Sequence, residues 1–168
     1  MTLHELSENL HAMIPLAPDW LITLIFAALP ISEVRGAIPL AIGFYGYSAA
    51  EAYLLAVLGN LLPVIPLLLF LEPVSSYLRK YPVGDSFFSW LFIRTRKKYI
   101  RDHENFGMMA LALFVAIPLP MTGAWTGCAI AFLLGMKFKN AFIAITTGVL
   151  IAGVIVTTTV IGLKLMIF

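Results

Sequence analysis

The chain has 168 residues, 61% of them hydrophobic and only 12% charged, with a formal net charge of +2. A soluble domain is about 45–50% apolar, so this balance, with a mean hydropathy of +0.95, excludes an ordinary soluble domain and points to an integral membrane protein. So small a net charge gives no electrostatic case for nucleic acid. The lone Cys128 excludes an intramolecular disulfide or a thiolate cage, and His4, His11 and His103 lie outside the apolar runs, so neither metal nor cofactor is expected.

Residues 1–18 lack the basic start of a secretory signal and are expected to be retained. Leu3, Leu6, Leu10, Met13 and Ile14 recur at helical spacing, Thr2 and Glu5 read as a capping box, and Pro15 and Pro18 close the pattern. This predicts a short helix lying in the membrane interface. The apolar run from Leu21 to Tyr47 follows, broken by Pro30 and Pro39, with Ser32, Glu33, Arg35 and Gly36 between them. A charge at the bilayer centre costs about 2.5–3.5 kcal/mol on insertion scales, so an acid and a base there must face protein or a wet cavity. Proline removes a backbone donor and clashes one turn back, so the helix is expected to break near Pro30 and resume near Pro39.

A spanning helix is predicted over Ala52–Leu71, bent or hydrated at Asn60, Pro63 and Pro66. Seven of the 11 basic residues then fall between Arg79 and Arg101, among Phe87, Phe88, Trp90 and Phe92, a mixture suited to an interfacial connector. Met108–Leu134 is apolar and again interrupted, by Pro118, Pro120, Thr122, Gly123, Trp125, Thr126 and Gly127, and a final span runs from Asn140 to Phe168. The chain thus divides into an interfacial helix (1–18), a first repeat (19–72), a basic connector (73–107) and a second repeat (108–168), forming one membrane domain.

The repeat rests on a shift of 88 positions, which lays Phe26, Ala28, Pro30, Ala41, Ile42 and Phe44 on identical residues at Phe114, Ala116, Pro118, Ala129, Ile130 and Phe132. Each half reads as broken run, polar corner and full span. About 10 helical residues on either side of a break reach about 15 Å, half of a roughly 30 Å hydrocarbon core, so each broken run fits a re-entrant hairpin as well as a kinked span. Lys and Arg distribution favours hairpins: with the basic connector cytoplasmic, Lys137 and Lys139 stay on that side only if each half crosses once. The fold class expected is therefore all-α integral membrane, an inverted repeat of re-entrant helical hairpin plus transmembrane helix, in the cell membrane.

Leu-Pro-Ile-Ser-Glu-Val-Arg-Gly-Ala-Ile-Pro-Leu-Ala (Leu29–Ala41), with Ile-Pro-Leu-Pro-Met-Thr-Gly-Ala-Trp-Thr-Gly (Ile117–Gly127), resembles the signature of the small multidrug export family. That family is distantly similar to the DedA and VTT membrane proteins, a resemblance that implies two opposed re-entrant hairpins and movement of lipids or lipid phosphates. This chain departs from the DedA pattern: both charges stand in the first broken run and the second carries none.

Glu33, Arg35, Ser32, Thr122, Trp125, Thr126 and Asn60 are the candidate substrate-binding residues. Pro30, Gly36, Pro39, Pro118, Pro120, Gly123 and Gly127 are the candidate hairpin breaks. Spacing of two keeps Glu33 and Arg35 from pairing on a regular helix, so each is expected to face a different partner. Arg35 offers a fork of donors for an anion, and Glu33 is a candidate proton carrier; equally, the two could tie the breaks together through the segment Pro118–Thr126. Ser32, Thr122 and Thr126 could donate to a substrate or satisfy freed backbone, and Asn60 is expected to bond across helices. The function expected is transport of an amphiphilic or lipid-phosphate substrate, possible proton coupling included, in a homodimer among membrane lipids. The alternatives are export of hydrophobic cations and a membrane scaffold. No nucleophile-base pair marks an enzyme.

Overall fold

The helical region is disfavoured for a residue directly before proline. Leu29 shows the effect: its φ of −74° and ψ of 141° are extended, and α1 (Asp19–Ala28) ends there. The chain turns through Pro30, Ile31 and Ser32, and α2 (Glu33–Gly43) begins at once, its first bonds running from Glu33 N–H to Leu29 O at 3.1 Å and from Gly36 N–H to Ser32 O at 2.8 Å. The computed structural model describes residues 17–78, 80–81, 104–119 and 122–167. The interfacial helix expected over 1–18, most of the basic connector and Pro120 lie outside the described residues.

Ser48 opens α3 (Ala49–Leu61) with a complete capping box: its Oγ accepts from Glu51 N–H and the Glu51 carboxylate accepts from Ser48 N–H. After a turn at Leu62 and Pro63 the helix resumes as α4 (Val64–Leu78). The second half holds α5 (Glu104–Ala116), α6 (Ala124–Leu134) and α7 (Phe138–Ile167), with Gly135 at φ 68° closing α6 as a left-handed cap. All seven elements among the described residues are helical.

Two stretches are long and apolar enough to cross a membrane, Ala49–Leu71 and Phe138–Met166, while α1 and α6 are apolar but shorter. The molecule is apolar on the outside. Leu54, Leu58, Phe70, Val154 and Leu163 are exposed, whereas the interior sets small residues such as Ala27, Ala37, Ala41, Ala56, Ala131 and Ala144 beside larger ones such as Ile22, Phe26, Ile38 and Ile145. Large apolar side chains outward, with small residues at the helix contacts, is the packing of helices in lipid, where close backbone approach rather than hydrophobic expulsion holds helices together. With the composition, this makes the chain a membrane protein.

α1 packs on α3, α5 packs on α7, and α2 lies against both α3 and α7. α6 is held by α4 and α7, and α3 crosses α7, where the Tyr53 hydroxyl donates to Leu150 O at 3.3 Å. Two glycines set the closest approaches. A Cβ on Gly59 would sit 2.8 Å from Ala27 Cβ, and one on Gly148 would sit 2.6 Å from Val115 Cβ.

Three expected breaks fall inside helices instead. Gly36 and Pro39 are the fourth and seventh residues of α2, and Gly127 is the fourth of α6. The Leu29–Ser32 turn alone accounts for the interruption, so α2 resumes six residues before Pro39. Pro39 then only deprives the Arg35 carbonyl of its usual helical donor. Pro30 and Pro118 do lie in the two interruptions, and Gly123 is the N-cap of α6.

Candidate functional site

The two interruptions meet. Glu33, the first residue of α2, has φ 47°, a left-handed conformation that a non-glycine residue rarely holds. This turns its side chain away from an ordinary helical direction and across to the start of α6. There the carboxylate faces the backbone N–H groups of Ala124 and Trp125, the latter 3.5 Å from Oε1. An α-helix N-terminus carries unpaired N–H groups and about half a positive charge, so an acid is well placed on it. The other carboxylate oxygen, Oε2, lies 3.3 Å from Arg35 Nη2.

Glu33 and Arg35 therefore form an ion pair, against the expectation from their spacing. The reason is the left-handed backbone at Glu33: the two side chains are not displayed at successive positions of one regular helix. Glu33 is 3% exposed and Arg35 18%, so the acid is enclosed while the guanidinium keeps an open edge. Gly123 makes the approach possible. A Cβ there would collide with the Glu33 carboxyl group, so any larger residue would push the acid aside.

The remaining candidates sort by what they touch. The Ser32 hydroxyl donates to Phe26 O, and the Thr122 hydroxyl lies 2.7 Å from both Ile117 O and Leu119 O while accepting from Leu119 N–H at 3.2 Å. Each satisfies backbone freed by its own interruption. The Trp125 indole Nε1 donates to Ala28 O at 3.0 Å, closing the end of α1 onto α6. Thr126 is half-buried on α6. Asn60, on α3, is 1% exposed, and its Oδ1 has no hydrogen-bond partner among the described residues. It lines, with Glu33, Arg35, Thr122 and Gly123, a cavity of about 10 Å³, room for one water-sized group.

Beyond Trp125 is a second, apolar cavity of about 300 Å³, walled by Pro63, Pro66, Leu67 and Phe70. The charged residues, Trp125 and Asn60, singled out in the sequence as candidates, come together here. The spacer position of Gly123 and the particular N–H groups of Ala124 and Trp125 had no sequence signal beyond a glycine ahead of an apolar helical run. Among the described residues no group of His, Cys, Asp and Glu could hold a metal.

Seven helices among the described residues, an apolar exterior and an acid enclosed beside its basic partner where two interrupted runs touch define a membrane protein with a buried polar site. The chain belongs to the family described as “Putative small multi-drug export protein”, whose model matches residues 33–155. Glu33, Arg35, Asn60, Gly123 and Trp125 all fall inside the match. Comparisons with curated proteins and with solved structures gave no match.

Proposed function

We propose that the protein is a small multi-pass exporter in the cell membrane for amphiphilic compounds bearing a cationic group, with Glu33 as the binding carboxylate and Arg35 as its resting counter-ion. The observation that carries this is the enclosure of Glu33 between α2 and α6 beside a small cavity that Arg35 and Asn60 also line. A buried carboxylate stripped of its partner is costly, by several kcal/mol. Exchange is the economical route: a substrate cation takes the place of Arg35, or a proton does, so the acid is never left bare. Alternation between proton and substrate on one carboxylate would couple export to a proton gradient. The apolar cavity beyond Trp125 suits the hydrophobic part of such a compound.

The architecture we infer is two re-entrant hairpins, α1–α2 and α5–α6, entering from opposite faces, each followed by a crossing helix. Two features support it. The shift of 88 that aligns the sequences carries the end of α1 at Ala28 onto the end of α5 at Ala116. The packing also exchanges between halves: α1 on α3 corresponds to α5 on α7, and α2 against α7 corresponds to α6 against α4. Inverted repeats of this kind build transport sites near the middle of the bilayer from discontinuous helices. Four elements per repeat pair are few to enclose a path, so a homodimer surrounded by lipid is the expected assembly.

A second reading, transport of a lipid phosphate, is favoured by the open edge of Arg35. Against it, the N-terminus of α6, the natural seat for a phosphate, is occupied by the chain's own carboxylate. Vesicles reconstituted with the purified chain and loaded with either a lipophilic fluorescent cation or a labelled anionic lipid decide the matter. Cation movement, lost in Glu33→Gln, supports export of cations; movement of the anionic lipid, lost in Arg35→Ala, would replace that reading.

A further inference from the structure

Within the proposed site, one atom is chemically unanswered. Asn60 Oδ1 is a hydrogen-bond acceptor, buried to 1% exposure and without a partner among the described residues. Leaving such an acceptor unpaired is unfavourable by about 1–3 kcal/mol, so native proteins seldom keep one without use. Asn60 lines the same small cavity as Glu33, whose carboxylate, while ionised, accepts hydrogen bonds and donates none. The Thr122 hydroxyl, also in the wall, is already engaged with Ile117 O and Leu119 O. Glu33, Arg35 and Asn60 thus line one pocket, and once a substrate cation takes the place of Arg35 the group complementary to the carboxylate and the amide oxygen is a donor with at least two hydrogens.

We propose that this cavity is a donor-counting subsite: Asn60 and Glu33 together accept the N–H groups of a primary ammonium headgroup and thereby select primary over quaternary ammonium amphiphiles. The inference rests on the export reading above and sharpens its substrate class. Size and chemistry agree. A cavity of about 10 Å³ admits a group the size of a water molecule, which an –NH₃⁺ is and a trimethylammonium is not. A primary ammonium brings three N–H donors, enough to reach the carboxylate and the amide oxygen together, whereas a quaternary ion brings none. Two ligands of equal charge and equal tail are therefore separated by hydrogen bonding and by fit, the two properties a buried polar site discriminates best.

The test is a binding comparison on the purified full chain in detergent, by titration calorimetry, with dodecylammonium, dodecyltrimethylammonium and dodecyl phosphate below their micellar concentrations. Wild-type protein is expected to bind the primary ammonium at least about tenfold more tightly than the quaternary one, as one extra charge-assisted hydrogen bond would give. In Asn60→Leu that ratio should fall toward one; in Asn60→Asp, which keeps acceptor oxygens in place, it should persist. Gel filtration and thermal unfolding of each variant check the fold. Leu is nearly isosteric with Asn and removes an unpaired acceptor, so Asn60→Leu is expected to melt no lower than wild type. Equal binding of both ammonium ions by wild type, or an unchanged ratio in folded Asn60→Leu, overturns the subsite and leaves the export reading standing. Binding of the phosphate with neither ammonium bound overturns both.

Discussion

Gly123 leaves empty the volume that the Glu33 carboxyl group fills: a single methyl at position 123 would overlap the acid that α2 extends to the head of α6. The two residues are distant in sequence and belong to different halves of the chain, yet a side chain can be added at 123 only if the acid moves or shrinks.

Gly123→Ala is therefore expected to destabilise the protein by about 1–3 kcal/mol, the usual cost of overpacking. Because the collision is with one side chain, Glu33→Ala should relieve it. A double-mutant cycle on unfolding in detergent is expected to return a favourable coupling of about 0.5–3 kcal/mol. Strictly additive effects would mean that the two residues do not touch.

The ion pair predicts an asymmetry between its members. Glu33→Gln keeps the shape and still accepts from the Ala124 and Trp125 N–H groups, while Arg35, 18% exposed, retains an edge that water can reach. Arg35→Ala instead leaves a nearly enclosed carboxylate with backbone donors alone, and removing one partner of a buried pair costs up to about 3–5 kcal/mol. Chemical unfolding should find Arg35→Ala the less stable of the two. A Glu33→Gln variant as unstable as Arg35→Ala would show that the acid, not the pair, holds the two interruptions together.

Much of this was legible in the chain and some was not, for identifiable reasons. Leu29-Pro30 gave the end of α1, because the steric effect of proline on its predecessor is local. The enclosure of Glu33 followed from the cost of charge in an apolar run. Pro39 was misleading. As a break signal it competes with the packing of α2 between α3 and α7, and packing prevailed. The pairing of Glu33 with Arg35 depends on one left-handed residue, which no spacing rule contains. Asn60 announced itself as a buried amide, but that it would end without a partner for Oδ1 is a tertiary fact.

Gly59 and Gly148 carried no local signal, yet they occupy corresponding places, one at the α1–α3 approach and one at the α5–α7 approach. Helices in lipid gain their stability from such close contact. Valine at either position would have to force the helices apart, because the neighbours include the backbone oxygens Leu24 O and Ala112 O, which cannot rotate away. Gly59→Val and Gly148→Val should each lower the unfolding free energy by at least about 1–3 kcal/mol. Thermal unfolding in detergent that matches wild type for either would remove that glycine from the helix contact.

The backbone at Glu33 yields the sharpest sign. Inside an ordinary helix, glycine is about 1 kcal/mol less favourable than alanine. At φ 47° the order inverts, because a Cβ in the left-handed region meets the following carbonyl, at about 1–2 kcal/mol, and glycine has none. Glu33→Gly and Glu33→Ala both delete the carboxylate and its bonds to Arg35 and α6, so the difference between them isolates the conformation. Glu33→Gly is expected to be the more stable by about 1 kcal/mol, measured side by side in denaturant, although both lose cation binding. If alanine proves the better residue, Glu33 sits in a regular helix, and its reach across to Ala124 and Trp125 must have another cause.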